Sequence, residues 1–169
     1  MMRLAPLTVL MSTMLLGGCG LQPLYSGGSN GPVSRAIGQV SVDPIEGKAG
    51  WLMTNALNDR LGAVSGGGAP YRLVVKLDDQ IRGLGVRRDN SVTRERRTLR
   101  ARYQLIDSAQ GTVVLDQTAG SDVGIDVVQS DYAVVAAENT ALERLSVMLA
   151  DQIVARLALY ARRRAQPQP

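Results

Sequence analysis

The spacing of apolar residues along the chain predicts six secondary-structure elements in the order β-α-β-β-β-α. Apolar residues at intervals of three or four predict the two helices, and alternating apolar and polar residues predict the strands. The last helix has an apolar stripe from Val135 to Leu157 and is expected to contain about 30 residues, which is long for a globular domain. The predicted elements are a strand at 37–42, a helix at 48–64, strands at 71–81, 92–106 and 112–118, and a helix at 130–160.

This order of elements favours an α+β fold with two layers. Two amphipathic α-helices can pack on one face of a four-stranded, mostly antiparallel sheet, which leaves the other face for solvent or a partner. The glycine-containing segment 107–111 is short enough to join two strands as a hairpin. Residues 36–160 are therefore predicted to form a single α/β domain. The basic, proline-containing tail at 161–169 is expected to be disordered.

The chain begins with the pattern of an export signal. Arg3 supplies a positive charge, residues 4–16 form an apolar run, and two small residues, Gly17 and Gly18, follow. The apolar run is too short for a transmembrane helix, which needs about 20 residues to cross a bilayer. Residues 1–18 are therefore predicted to be a signal peptide.

The single cysteine of the chain directly follows this signal. The segment Leu16-Gly17-Gly18-Cys19 resembles the bacterial lipobox. In that family of signals the cysteine becomes the first mature residue and carries a diacylglycerol group, and its amine takes a further chain such as palmitate. Two or more chains anchor a protein stably without spanning the membrane. The alternative is an ordinary signal peptide with an incidental cysteine. Residues 19–35, rich in glycine and serine, are predicted to form a flexible tether.

Composition excludes several classes of catalytic and metal site. The chain has no histidine and one cysteine, so common zinc and iron–sulfur ligand sets, the Ser-His-Asp triad and a Cys-His pair are absent. Asp78 and Asp79 are adjacent, so they point to opposite faces of a strand and do not form a catalytic pair. A lipid-anchored enzyme is therefore disfavoured. We expect no cofactor and no metal, apart from the covalent lipid on Cys19.

The strand at 92–106 belongs to an arginine-rich segment, with eight arginines between residues 82 and 102. Because side chains alternate between the two faces of a strand, four of these arginines are predicted to form one row. Closely spaced guanidinium groups repel one another unless an anion is present, and they bind phosphate groups in a bidentate manner. The predicted anion-binding residues of this arginine row are Arg94, Arg96, Arg100 and Arg102.

The arginine row also has interpretations other than phosphate binding. The row can be a solvated strand face whose charges deter edge-to-edge pairing. Nucleic acid is the usual anion for such stripes, but an exported lipoprotein seldom meets it. Lipid headgroups, lipopolysaccharide phosphates and acidic protein surfaces then remain. Arg97 lies on the opposite face of the strand and is expected either to pair with Glu95 or to mark a bulge.

Four segments of the mature chain resemble segments of one known family. The mature start CGLQPLY at 19–25 is similar to that family's Cys-Gly-aromatic-x-Pro-Leu-Tyr opening, although Leu21 replaces the aromatic residue. The segments YRLVVKL at 71–77, ARYQLID at 101–107 and SDYAVVAAENTALERL at 130–145 also resemble family segments, and they occur in the same order. The similarity extends over nearly the whole mature chain, which thus resembles the lipopolysaccharide-assembly lipoproteins that sit inside the outer-membrane translocon barrel.

The resemblance implies a non-enzymatic protein in which two helices pack on a four-stranded sheet. Such a protein plugs the lumen of the outer-membrane β-barrel translocon, aids its assembly and binds lipopolysaccharide, whose phosphates are natural ligands for the arginine row. Gly20 favours the outer membrane, by resemblance to enteric-type sorting in which an aspartate at this position retains a lipoprotein in the inner membrane. The alternative is an accessory lipoprotein of an envelope lipid transporter, which has the same anchor and a similar domain.

Overall fold

The described residues form two helices and four strands in the predicted order. A computed structural model of the protein describes residues 38–62, 69–86 and 92–165. The predicted signal peptide and the whole of the predicted tether, including Cys19, lie outside the described residues. The elements are β1 (Val40–Val42), α1 (Gly47–Leu61), β2 (Tyr71–Val86), β3 (Val92–Asp107), β4 (Val113–Asp126) and α2 (Asp131–Ala165). The predicted α+β class with two layers is therefore confirmed.

The four strands form one mixed sheet in the order β1-β2-β3-β4. β1 is parallel to β2 and is joined to it through α1, whereas the β2–β3 and β3–β4 pairs are antiparallel hairpins. The parallel pair extends only from Val40, opposite Tyr71, to Val42, opposite Leu73. Pro44 follows β1, and because proline has no backbone N–H, it stops the ladder at this point.

β2 and β4 extend well beyond their predicted ends, by five and eight residues respectively. Both extensions contain glycines, and glycine weakens an isolated strand. In the folded sheet, β3 supplies a ladder partner for each of them: Gly83 lies opposite Glu95, and Gly124 lies opposite Arg96. The strands therefore continue past the core, and residues 78–83 of β2 are exposed.

Both helices pack on the same face of the sheet. They run parallel to each other, with hydrogen bonds from Lys48 to Asn139 at 2.7 Å and from Arg60 to Asp151 at 2.5 Å. Tyr103, at the centre of β3, is fully buried beneath them. The core residues of the helices include Met53, Leu57, Leu61, Leu142, Leu145, Leu149, Ile153 and Leu157, and those of the sheet include Leu73, Leu99, Tyr103 and Leu105.

The two ends of α2 differ from the prediction. The helix continues through Ala165, so the expectation of disorder from residue 161 onward is wrong for residues 161–165. The last turn of α2 contains three arginines, and their positive charges stabilise the helix because its C-terminal end is the negative end of the helix dipole. At the other end, Val135 is 53% exposed, although it was predicted on the apolar stripe. The buried residues of α2 begin at Ala141, so the first turns of the helix lie outside the core.

Candidate anion-binding face

The sheet face opposite the helices, here called the outer face, carries the predicted arginine row. Every second residue of β3 from Arg97 to Leu105 is buried on the helix side. The residues between them point to the outer face because side chains alternate along a strand. All four predicted anion-binding residues are exposed on this face: Arg94, Arg96, Arg100 and Arg102.

β4 supplies acidic partners for three of these four arginines. The pairs are Arg94–Asp126 at 3.1 Å, Arg96–Asp122 at 3.5 Å and Arg102–Asp116 at 2.9 Å. Sequence reasoning missed the pairs with Asp122 and Asp126 because β4 was predicted to end at Thr118. It missed the pair with Asp116 because the β3–β4 register was not predicted. Alternation could have revealed them, since the three aspartates occupy even-numbered positions of β4 and therefore share one face.

The pair between Arg102 and Asp116 is bidentate, with nitrogen–oxygen distances of 2.9 and 3.2 Å. The hydrogen bonds from Arg102 and then from Gln104 lower the pKa of Asp116, and the bond to Asp116 raises the pKa of Arg102. Because the folded pKa of Asp116 is depressed, its stabilising contribution is present above the ordinary aspartate pKa and is lost as the pH falls through the depressed value. The pair is exposed to solvent, so it contributes little net stability and can exchange partners.

Arg100 differs from the other three arginines because it has no acidic partner on β4. It lies opposite Gly120 of β4 and opposite Asp78 of β2. It forms no ion pair with any residue that the structure describes. A Cβ atom on Gly120 would lie 3.4 Å from Cγ of Arg100, so glycine leaves room for the arginine stem to lie across β4.

Two open troughs meet at Arg100 on the outer face, with volumes of about 550 and 470 Å³. The basic side chains that line them are Lys76, Arg82, Arg96, Arg100 and Arg102, and the acidic ones are Asp78 and Asp122. Basic groups therefore outnumber acidic groups around this surface. A phosphate group can bind Arg100 without displacing a β4 aspartate, whereas binding at the other arginines of the row competes with their ion pairs.

Arg97 lies on the core face and takes no part in the arginine row. Its guanidinium group donates to both carboxylate oxygens of Asp79, at 2.9 and 2.5 Å, and to the carbonyl oxygen of Glu138 at 2.7 Å. The bond to Asp79 raises the pKa of Arg97, against the opposing effect of burial. The expectation of a Glu95 partner or a bulge is therefore wrong, since the strand registers are continuous at this position.

Replacing Arg97 with alanine is expected to destabilise the fold by about 2 kcal/mol, less than the ~3–5 kcal/mol lost when a fully buried pair is broken. The value is lower because a quarter of the Asp79 side chain is exposed. Urea unfolding of the mature protein in detergent, followed by circular dichroism, measures the change. Arg94→Ala removes an exposed pair and is the control, expected to have little effect. Equal effects of the two substitutions would contradict a structural role for Arg97.

Neither a metal site nor a membrane-spanning helix occurs in the part of the chain that the structure describes. Within residues 38–62, 69–86 and 92–165, no three acidic or cysteine side chains cluster in an arrangement that could hold a metal ion. Neither α1 nor α2 is both long and apolar enough to cross a membrane. The outer face, with its four exposed arginines, is the candidate site among the described residues.

Comparisons with known proteins agree with this architecture. A family model described as lipopolysaccharide-assembly, LptE, matches residues 37–157. A lipoprotein structure from Caulobacter crescentus CB15 has a TM-score of 0.68 and 24% identity, covering 78% of this chain and 98% of that one. Rare lipoprotein B from Shewanella oneidensis has a TM-score of 0.60 and 10% identity, covering 75% and 98%. Lipoprotein B from Nitrosomonas europaea has a TM-score of 0.56 and 13% identity, covering 77% and 90%. A search of curated protein sequences gives no significant match.

Proposed function

Because the chain belongs to the LptE family of lipopolysaccharide-assembly proteins, we propose that it is an outer-membrane lipoprotein that plugs the lipopolysaccharide-translocating β-barrel. In this role it aids assembly of the barrel and binds lipopolysaccharide for insertion into the outer leaflet. The observation that carries the proposal is the family match over residues 37–157, which includes all four strands, α1 and most of α2. The family consists of non-enzymatic lipoproteins that are accessory to lipopolysaccharide transport.

The outer face supports the lipopolysaccharide-binding part of the proposal. Lipid A and the inner core carry phosphate groups, and guanidinium groups recognise phosphate through paired, charge-assisted hydrogen bonds. Arg100 is the best placed of the four, since it faces Gly120 rather than an aspartate of β4. The neighbouring exposed ion pairs are weak enough for their arginines to turn toward a polyanionic ligand. We therefore assign Arg100 as the primary phosphate contact and Arg94, Arg96 and Arg102 as secondary contacts.

The shape of the domain supports the plug role. The helices cover one face of the sheet. The outer face is charged and exposes few large apolar side chains. Such a surface suits the polar interior of a wide β-barrel, which is filled with water or with protein segments. The lipid on Cys19 then holds the domain at the membrane that contains the barrel.

Affinity purification from the native membranes tests the partner. We expect the tagged, lipidated protein, extracted in mild detergent, to co-purify with a large outer-membrane β-barrel in near-equal amount. An untagged strain processed in parallel is the control for non-specific capture. Recovery of an inner-membrane transporter instead would overturn the plug role and support the accessory-lipoprotein alternative.

A further inference from the structure

Two arginines on neighbouring strands lie directly opposite each other on the outer face. Arg82 of β2 pairs in register with Arg96 of β3, and both side chains are exposed. Directly opposite residues of an antiparallel pair have Cβ atoms about 5 Å apart, and like charges at this separation destabilise the sheet. The strand register therefore holds these two guanidinium groups together against their repulsion. Such a local conflict with stability is typical of functional positions.

Neither of these two residues, here called the paired arginines, is held strongly by a carboxylate. Arg82 donates a hydrogen bond to the amide oxygen of Gln80 at 2.9 Å and forms no ion pair with any residue that the structure describes. Arg96 lies 3.5 Å from Asp122, which is longer than a normal hydrogen bond. The paired arginines are therefore available to an external anion.

The paired arginines line the smaller of the two troughs on the outer face, which has a volume of about 470 Å³. The charged residues that line this trough are Asp78, Arg82, Arg96 and Arg100, so positive charges outnumber negative ones by three to one. The carboxylate of Asp78 accepts hydrogen bonds from Gln80 at 3.1 and 3.2 Å. A phosphate group suits the trough, because it can accept paired hydrogen bonds from each guanidinium group and offset the repulsion between them.

The paired arginines are separate from Arg100, which is the primary phosphate contact assigned above. Arg96 and Arg100 are four residues apart on β3, which is about 13 Å at a strand rise of about 3.3 Å per residue. The stem of Arg100 lies across β4 next to Gly120, whereas Arg82 lies on β2, on the other side of β3. The two cationic groups therefore suit two phosphate groups of one ligand rather than a single phosphate group.

We propose that Arg82 and Arg96 form a second phosphate subsite, which together with Arg100 binds a ligand carrying two separated phosphate groups. The inference rests on the proposed lipopolysaccharide-binding function and names the part of the ligand that the outer face recognises. Lipid A has this chemistry, because its disaccharide carries a phosphate group at each end. A diphosphate group, whose two phosphorus atoms share one oxygen, is too short to reach both subsites. Arg82, which is not part of the arginine row, thus becomes a ligand contact.

Binding of the full lipidated chain, in detergent, to two forms of lipid A tests the second subsite. Wild type is expected to bind bisphosphorylated lipid A at least about tenfold more tightly than the monophosphorylated form, because only the former fills both subsites. Arg82→Gln should weaken binding of the bisphosphorylated form about tenfold and leave binding of the monophosphorylated form within about threefold of wild type. Arg144→Gln removes one exposed arginine of α2 and is the matched control, expected to change neither affinity.

Combined substitutions show which arginines share a subsite. The R82Q/R96Q variant should bind bisphosphorylated lipid A only slightly more weakly than either single variant, since both arginines hold the same phosphate group. The R82Q/R100Q variant loses a contact in each subsite, so its affinity should fall at least about 100-fold. Without ligand, Arg82→Gln should unfold at the same temperature as wild type or higher, because it removes a pair of like charges. A loss of affinity in this variant then cannot result from misfolding.

The outcomes separate the second subsite from the function on which it rests. Equal affinity of wild type for the two forms of lipid A, or an Arg82→Gln variant that binds like Arg144→Gln, would overturn the second subsite and leave lipopolysaccharide binding in place. Failure of the wild type to bind either form would contradict the lipopolysaccharide-binding function itself, and the second subsite with it.

Discussion

Replacing Cys19 with alanine is expected to abolish lipidation of the protein. The lipobox places all of the covalent lipid on this residue, and each buried methylene contributes about 0.8 kcal/mol to membrane binding. Without acyl chains the protein loses this contribution to membrane binding. The unprocessed precursor, or a protein released into the soluble fraction, is therefore the expected product.

Intact-mass analysis and membrane fractionation measure this result. The wild-type protein should start at residue 19 and show the added mass of the acyl chains, and it should stay with membranes after a high-salt wash. Gly20→Asp is the matched control, because it leaves the cysteine in place and should keep the lipid. Where enteric-type sorting operates, this control should shift to the inner membrane. A wild-type protein without acyl mass, together with unchanged membrane retention in Cys19→Ala, would show that the cysteine is incidental.

The fold was largely predictable because it depends on periodicity. The helical stripe through Met53 and Leu57 and the alternation around Tyr103 both reflect one-sided burial, which is a local property of each segment. The ends of β2 and β4 were not predictable in the same way. Their glycines weaken an isolated strand. Gly83 and Gly124 stay in the extended conformation because each pairs with a residue of β3, which is a different part of the chain.

The candidate site was predicted only in outline, for a related reason. The face on which Arg94 to Arg102 lie follows from alternation, but their ion pairs depend on the β3–β4 register, which places Asp126 opposite Arg94. The sequence likewise could not show that Arg97 bonds to Asp79, because this pair depends on the β2–β3 register and on the position of α2. Nothing in the local pattern distinguishes Arg100 from its neighbours, since its special position results from Gly120 across the strand pair.

Replacing Arg100 with glutamate is expected to weaken lipopolysaccharide binding about 30-fold. The loss of one charge-assisted hydrogen-bonded contact accounts for about 2 kcal/mol, which is about 30-fold in the dissociation constant. Reversal of the whole row, as the R94E/R96E/R100E/R102E variant, should weaken binding more than 100-fold, because four cations are then replaced by anions. Single substitutions of Arg94 or Arg102 should have smaller effects than Arg100→Glu, since these two arginines must leave an aspartate to bind a phosphate.

Binding of the detergent-solubilised mature protein to purified lipopolysaccharide, measured at two salt concentrations, tests this order. Arg144→Glu is the matched control, because Arg144 is exposed on α2 and its reversal changes the net charge by the same amount. It should bind like wild type at each salt concentration. Thermal unfolding must show that each variant is folded, and Arg100→Gln provides a milder change if the fourfold reversal fails to fold. Binding by Arg100→Glu and Arg100→Gln that equals the Arg144→Glu control would establish that the arginine row is a solvated face rather than a phosphate site.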